Sequence, residues 1–404
     1  MDRSPSSFKA NFGIFVILVK TTVGAGILSM PHAFMSAGYL GGPVIILLVG
    51  VVMFTSLAIL QEAAQNSEHG HDYQKVVQEY LGKSAGLSAE VAITIYQGLT
   101  CCAFLIIIGD AFTPWFAMIV PHHLAWLCRP LAVVVCSTPG FYLCFYPRIT
   151  QLACAMSFGV FIVTVVASVV IIDYAYHDED SNAVAVPEEW WRSLSSISIF
   201  AFALQCHIAV PRTVSEMSAD TRKQYPIIAF CAFVFIGSLY SLVGVCGYRH
   251  FGHKVHGNIL GNYTGNGVAY VLQILNGCQA MFGYAINHYT ARSSAYSLLV
   301  RLGALEVASD AEKQMLGQSQ DIPQHPRRLI TILFYLCACV VSVFLDDLGQ
   351  FASLIGATVG TLVIFFYPAA LSFRLANNGA CLCSIILTIC GCMCLVFGLL
   401  DLVT

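Results

Sequence analysis

Long apolar runs separated by short polar stretches set the pattern of this chain: residues 11–36, 41–64, 89–112, 130–146, 150–172, 193–216, 226–247, 267–300, 329–345, 350–373 and 380–402. A bilayer core roughly 30 Å thick takes about 20 apolar residues of helix, so each run predicts a spanning helix. Together the eleven runs predict an all-α polytopic membrane protein, a single transmembrane domain over residues 1–404. Between the second and third runs, Asp72–Leu81 places Tyr73, Val76, Val77, Tyr80 and Leu81 at helical spacing. That predicts a short amphipathic helix on the membrane surface, with a solvated connector as the alternative.

The first run breaks its own helix. It carries Lys20, Thr21, Thr22, Gly24 and Gly26 at mid-depth and Pro31 a little later, all poor choices for a helix that merely faces lipid. Where a spanning helix unwinds, one half exposes free N–H groups with partial positive charge and the other exposes free carbonyls, which is a binding site for a small zwitterion. Discontinuous helices of this kind point to a transporter's substrate site. The alternative is a Gly-rich packing face followed by a Pro kink. The sixth run is interrupted too: Gln205 and His207 sit mid-membrane, and Pro211 breaks the helix one turn beyond. Two interrupted spans five apart predict an inverted repeat, residues 11–172 and 193–373, with the extra C-terminal helix 380–402 added to the five-plus-five core.

Composition agrees: 57% of the 404 residues are hydrophobic and 10% charged, well below the roughly 25% charged of soluble domains, which leaves no room for a sizeable soluble domain. A secretory signal peptide is excluded at the N-terminus, because the run after Arg3 and Lys9 is too long and holds a mid-run lysine. The distribution of charge says more than its sum. With the N-terminus inside, Arg3, Lys9, Lys75, Lys83, Arg148, Arg212, Arg222, Lys223, Arg292, Arg301, Lys313, Arg327, Arg328 and Arg374 fall on the cytoplasmic side, against Arg129, Arg192, Arg249 and Lys254 outside. This obeys the positive-inside rule and sends the C-terminus to the extracytoplasmic side. The stretch from Asp173 to Trp191, with Asp178, Glu179, Asp180, Glu188 and Glu189, becomes an acidic external loop. Asn262 opens a glycosylation sequon, completed by Thr264, in another external loop.

Other polar residues have plainer readings. Asp110 and Glu62 stand near span ends and read as interfacial, and His288 and Arg292 read as lying at the inner rim. His207 either hydrogen-bonds a carbonyl freed by the break or serves coupling. The 17 cysteines fall mostly within spans, where cysteine behaves as a small apolar residue, so neither a disulfide framework nor a metal site is predicted. Cys381 and Cys383, beside Arg374, are palmitoylation candidates.

Lys20 to Pro31, Lys-Thr-Thr-Val-Gly-Ala-Gly-Ile-Leu-Ser-Met-Pro, resembles the first-span signature of the amino acid/auxin permease family, within the amino acid-polyamine-cation superfamily. Matching features recur in order along nearly the whole chain: Phe200-Ala-Phe-Ala-Leu-Gln-Cys-His207 with Glu216, Gly247-Tyr-Arg-His-Phe-Gly252 with Asn258, Arg292-Ser-Ser294, and Gly356-Ala-Thr-Val-Gly360 with Pro368. Two places depart from the pattern. His32 stands where a tyrosine is usual, and Pro211 comes one residue early, with Arg212 at the common proline position. The resemblance implies an amino acid carrier of the five-plus-five fold. It places the α-carboxylate on backbone N–H groups around Gly24, Ala25 and Gly26, flanked by Thr22 and Ile27. The α-amine goes to carbonyls near Phe200, Ala201 and Phe202, and side-chain selectivity to Phe202, Cys206 and Tyr96.

In sodium-coupled members the position of Lys20 is an asparagine that ligates the ion, and Gly283 aligns near a position where those members use a hydroxyl. An ammonium at Lys20 would repel Na⁺ in a low-dielectric site. This predicts sodium-independent transport, proton-coupled or facilitative, with Lys20 and His207 as the coupling residues. A lysine that snorkels to the cytoplasmic interface is the alternative.

These readings favour a secondary transporter over an enzyme. No ATP-binding motif is present, and Asp346-Asp347 lies at the outer edge, away from the depth an intramembrane hydrolase needs. A sensor of the same fold, signalling to cytoplasmic partners, is the alternative. The implied partners are an amino acid, in the proton-coupled case H⁺, and the bilayer of a plasma, vacuolar or lysosomal membrane. Nothing points to a cofactor or to nucleic acid, and the sequence does not fix an oligomeric state.

Overall fold

The computed structural model describes residues 7–68, 70–145, 153–176, 182–263, 267–305, 322–375 and 380–403. In chain order the α-helices are α1 (Ser7–Thr22), α2 (Met30–Ala37), α3 (Gly41–Gln65), α4 (Tyr73–Leu81), α5 (Lys83–Ile119), α6 (Cys128–Leu143), α7 (Ala153–Tyr176), α8 (Trp190–Ala203), α9 (Val210–Ser215), α10 (Ala219–Phe251), α11 (Gly267–Arg301), α12 (Gln324–Phe344), α13 (Leu348–Ile355), α14 (Tyr367–Leu375) and α15 (Ala380–Asp401). Ala25–Ser29 and His207–Ala209 form 3-10 turns, and Gly356–Gly360 and Leu362–Phe366 wind as π-helix. There is no strand among the described residues. Of the residues read from sequence, Arg3, Arg148, Asp178, Glu179, Asp180, Thr264 and Lys313 lie outside the described residues.

Eight described helices are long and apolar enough to cross a membrane, or up to ten when the bent pairs at 11–37 and 348–375 each count as one span. The protein is thus an all-α polytopic membrane protein. Of the eleven apolar runs, the one at 267–300 has no match in that set. Its helix α11 is complete, but it carries Gln273, Asn276, Gln279, His288 and Arg292 as buried residues, which dilutes its apolarity.

One compact unit comprises Met1–Ala89, Val163–Tyr263 and Gly349–Thr404. The bends of its helices follow from local chemistry. In α1 the Thr21 hydroxyl bonds back to the Ile17 and Leu18 carbonyls at 3.0 Å each and the Thr22 hydroxyl to Leu18 at 2.8 Å, competing with the ladder just where β-branched residues and Gly24 weaken it. The ladder's last bond runs from Val23 N–H to the Val19 carbonyl, and the chain restarts 53° off axis. α2 ends at Gly38, whose φ of 79° and ψ of 156° suit glycine alone, and a Cβ there would strike the Ala185 carbonyl.

The core of this unit closes around Phe34, which is 0% exposed. A Cβ added at Gly42 on α3 would lie 2.6 Å from its ring and one at Gly244 on α10 2.5 Å, so two glycines let the ring sit flush between those helices. Phe34 meets Phe200 of α8 edge to face at 5.8 Å between centroids. α15 packs on α8, α14 and the π segment. Gly356 makes room for the Ser198 carbonyl, and the Ser198 and Ser353 hydroxyls hydrogen-bond at 2.6 Å.

α4 differs from the surface helix expected over 72–81. Tyr73, Val76 and Val77 are at most 2% exposed, and the Tyr73 hydroxyl donates to the Val363 carbonyl at 2.8 Å. The apolar face of α4 is therefore buried against protein rather than lipid, packed on α14 and α9.

The second unit comprises Glu90–Ile162 and Thr264–Leu348, with α11 packed on α6 and α12. His288 and Arg292 are 0% and 2% exposed. Arg292 donates to the Cys144 carbonyl and, at 3.2 Å, to the Thr331 hydroxyl. Asp110 is ion-paired with Arg129 at 2.9 Å, and buried Glu90 with Arg301 at 3.2 Å.

Candidate functional site

Two broken helices of the first unit, α1 with α2 and α8 with α9, share a plan. Each runs as α-helix to its break, makes a 3-10 turn, and restarts on an X-Pro pair: Thr22, then Ala25–Ser29, then Met30-Pro31; Ala203, then His207–Ala209, then Val210-Pro211. Proline suits a restart because the first helical N–H groups have no intrahelical acceptor. Placing Pro211 early relative to the family pattern therefore does not disturb the second restart.

The breaks touch one another. A Cβ added at Gly26 would lie 2.6 Å from the Ala203 Cβ and 2.7 Å from its Cα, so the backbones are as close as glycine allows. Of the residues expected here, Thr22, Ala25, Gly26, Ile27, Phe200, Ala201, Phe202, Cys206 and His207 are all buried, and Gly24 and Lys20 are half-buried. The Phe200 carbonyl accepts from Leu204 N–H at 2.9 Å, continuing the helix, and the Phe202 carbonyl accepts from Leu204 N–H and, at 3.4 Å, from Gln205 N–H, a tightened end to the last turn. The ladder frays between Ala201 and Cys206, and resumes with Ala209 N–H to Cys206.

Buried polar atoms collect around the breaks without protein partners: the Ser29 hydroxyl, the Gln205 amide nitrogen and both ring nitrogens of His207. Groups of this kind are costly unless water or a ligand meets them. His32 covers Gly349, where a Cβ would strike its ring.

Tyr240 of α10 was not anticipated from the sequence. Fully buried, it directs its hydroxyl to the Thr22 carbonyl at 3.1 Å and to the Ala203 carbonyl at 3.3 Å. Those carbonyls are the C-terminal ends of α1 and α8, where the partial negative charge of each helix concentrates. Nothing in the pattern of α10 sets Tyr240 apart from the buried tyrosines Tyr225 and Tyr248 on the same helix.

Tyr96 is buried on α5 within the second unit. Asn262 is in a loop of the first unit, where its amide nitrogen donates to the Lys254 carbonyl and its amide oxygen accepts from His256 N–H, both at 2.8 Å. The atom that a glycan would occupy is thus engaged. No group of three or more metal-ligating side chains occurs among the described residues.

Comparison with known proteins adds an independent line. The family described as transmembrane amino acid transporter protein matches residues 11–404. Sodium-coupled neutral amino acid transporter 7 of Homo sapiens is 27% identical over 380 residues, covering 91% of this chain and 79% of its own. The protein of the same name from Danio rerio is 27% identical, covering 89% and 77%. Vacuolar amino acid transporter 5 of Schizosaccharomyces pombe is 24% identical over 388 residues, covering 92% and 86%.

Proposed function

Because the chain belongs to the transmembrane amino acid transporter family, and so is an α-helical membrane carrier of amino acids rather than an enzyme, we propose that its substrate binds where the two helix breaks meet. The observation that carries this reading is the contact of Gly26 with Ala203, which brings an N-terminal helix restart and two C-terminal carbonyl ends into one buried place. An amino acid presents a carboxylate and an ammonium on one carbon, and such a site offers complementary partial charges to both. The carboxylate lies on the N–H groups of Gly24, Ala25 and Gly26. The ammonium lies against the carbonyls of Phe200, Ala201 and Phe202 at the C-terminal end of α8. Phe202 and Cys206 border the substrate side chain, and Gln205 and His207 supply unmet polar groups.

The same reading extends to topology: eleven spans in two inverted repeats with one helix added, the N-terminus cytoplasmic and the C-terminus extracytoplasmic. The shared plan of the two breaks supports the repeat, and α11 supplies the span that apolarity alone does not count.

On coupling, the relatives named above divide the question. One name states sodium coupling and another a vacuolar location, while this chain has Lys20 two residues before the end of α1. Transport here is sodium-independent, either proton-coupled or facilitative. A charged lysine costs about 2.5–3.5 kcal/mol at the centre of a membrane helix, and its ammonium repels a nearby cation. Uptake into vesicles in Na⁺ against choline medium at fixed pH, then across a pH series for wild type and Lys20→Asn, tests this. Equal wild-type rates in both media are expected, with a changed pH profile in the variant. Collapse of wild-type uptake in choline would overturn it.

A further inference from the structure

We propose that Tyr240 is a positioning residue whose hydroxyl takes the place of a metal cation between the two broken helices. The proposal rests on the carrier reading above but concerns a different question, namely what holds the breaks together.

When two helices end side by side inside a membrane, their last carbonyls are short of donors and face each other with like partial charges. A bound cation satisfies such carbonyls in transporters built on discontinuous helices, because several oxygens can coordinate it at once. Here the Thr22 and Ala203 carbonyls converge on one hydroxyl, at 3.1 and 3.3 Å, from helices that are far apart in sequence. Tyr240 shares its single proton between them. The phenol comes from α10, which packs along α1, α2 and α3, so a rigid third helix fixes the point where the two ends meet. Tyr240 is 0% exposed, so water does not compete for its proton.

A hydroxyl donor and a metal cation cannot both occupy the point of convergence. The phenol therefore confers cation independence on the joint itself, separately from any effect of Lys20. Removing only the hydroxyl should leave an isosteric ring in the core and two carbonyls facing a space that a small cation can fill. Sodium and lithium are the probes suited to a pair of hard oxygen ligands.

The test is the melting temperature of the purified full-length protein in sodium, lithium and choline chloride at equal ionic strength, with no amino acid present. Wild type should melt at the same temperature in all three salts. Tyr240→Phe should melt lower than wild type in choline and recover in sodium or lithium, a salt-specific shift that a merely structural tyrosine would not produce. Tyr240→Gln, whose amide carries two donors, should restore indifference to the cation, and it keeps the test decisive if the phenylalanine variant is recovered only in sodium. Stabilisation of wild type by sodium over choline would overturn the proposal, as would a Tyr240→Phe protein indifferent to the cation. Because no transport is measured, these outcomes stand apart from success or failure of the carrier reading.

Discussion

At the scale of single residues, the approach of Gly26 to Ala203 makes the sharpest demand. Because even a Cβ at Gly26 falls 2.6 Å from its neighbour, Gly26→Ala should already separate the breaks and lower uptake several-fold, and Gly26→Val should abolish it. The paired change Gly26→Ala with Ala203→Gly removes one methyl as it adds another and should recover much of the lost uptake, measured in the same vesicles. Non-recovery would mean that Gly26 serves its backbone conformation rather than close packing. Gly24 and Gly26 were legible in the sequence because glycine in mid-membrane has few uses other than bends and close approach. Tyr240 was not. Its meaning lies in two carbonyls, one of them 218 positions away along the chain, and side-chain patterning carries no record of where backbone carbonyls lose their partners.

At the scale of elements, each apolar run falls on described helix, although α5 and α10 begin about six and seven residues before their runs, and what α4 faces was not legible. α4 was legible as amphipathic, but the residues that bury its apolar face, Val363 among them, come from the far end of the chain. Tyr73→Phe should leave the Val363 carbonyl without its donor and cost about 0.5–1.5 kcal/mol, read as a lowered melting temperature with insertion unchanged. α11 adds its buried polar residues. The sequence reading put His288 and Arg292 at the inner rim without showing what they touch; the structure buries both among helices of their own unit, and a guanidinium can sit there because Cys144 and Thr331 accept its hydrogen bonds. Thr331→Val keeps the volume and removes an acceptor, so it should destabilise by about 1–3 kcal/mol in thermal unfolding. An unchanged melting temperature would show that the Cys144 carbonyl alone suffices.

At the scale of the whole molecule, the all-α membrane class was legible from composition and run length, since few other architectures place so little charge in so long a chain. The division into two units was not, because it joins segments that lie far apart in the sequence, such as Met1–Ala89 with Gly349–Thr404. The proposed orientation puts the loop holding Asn262 outside. A cysteine introduced at Asn262 should react with a membrane-impermeant maleimide added to intact cells, above the background of the wild-type cysteines, and labelling only after permeabilisation would reverse the topology. The central claim, an amino acid carrier working through the paired breaks, is tested most directly by reconstituting the purified protein in liposomes and measuring uptake of each common amino acid in labelled form. Saturable uptake of at least one amino acid, equal in sodium and choline media and absent with Gly26→Val, is the predicted result. Uptake no greater than in empty liposomes for every amino acid, or full uptake by Gly26→Val, would contradict it.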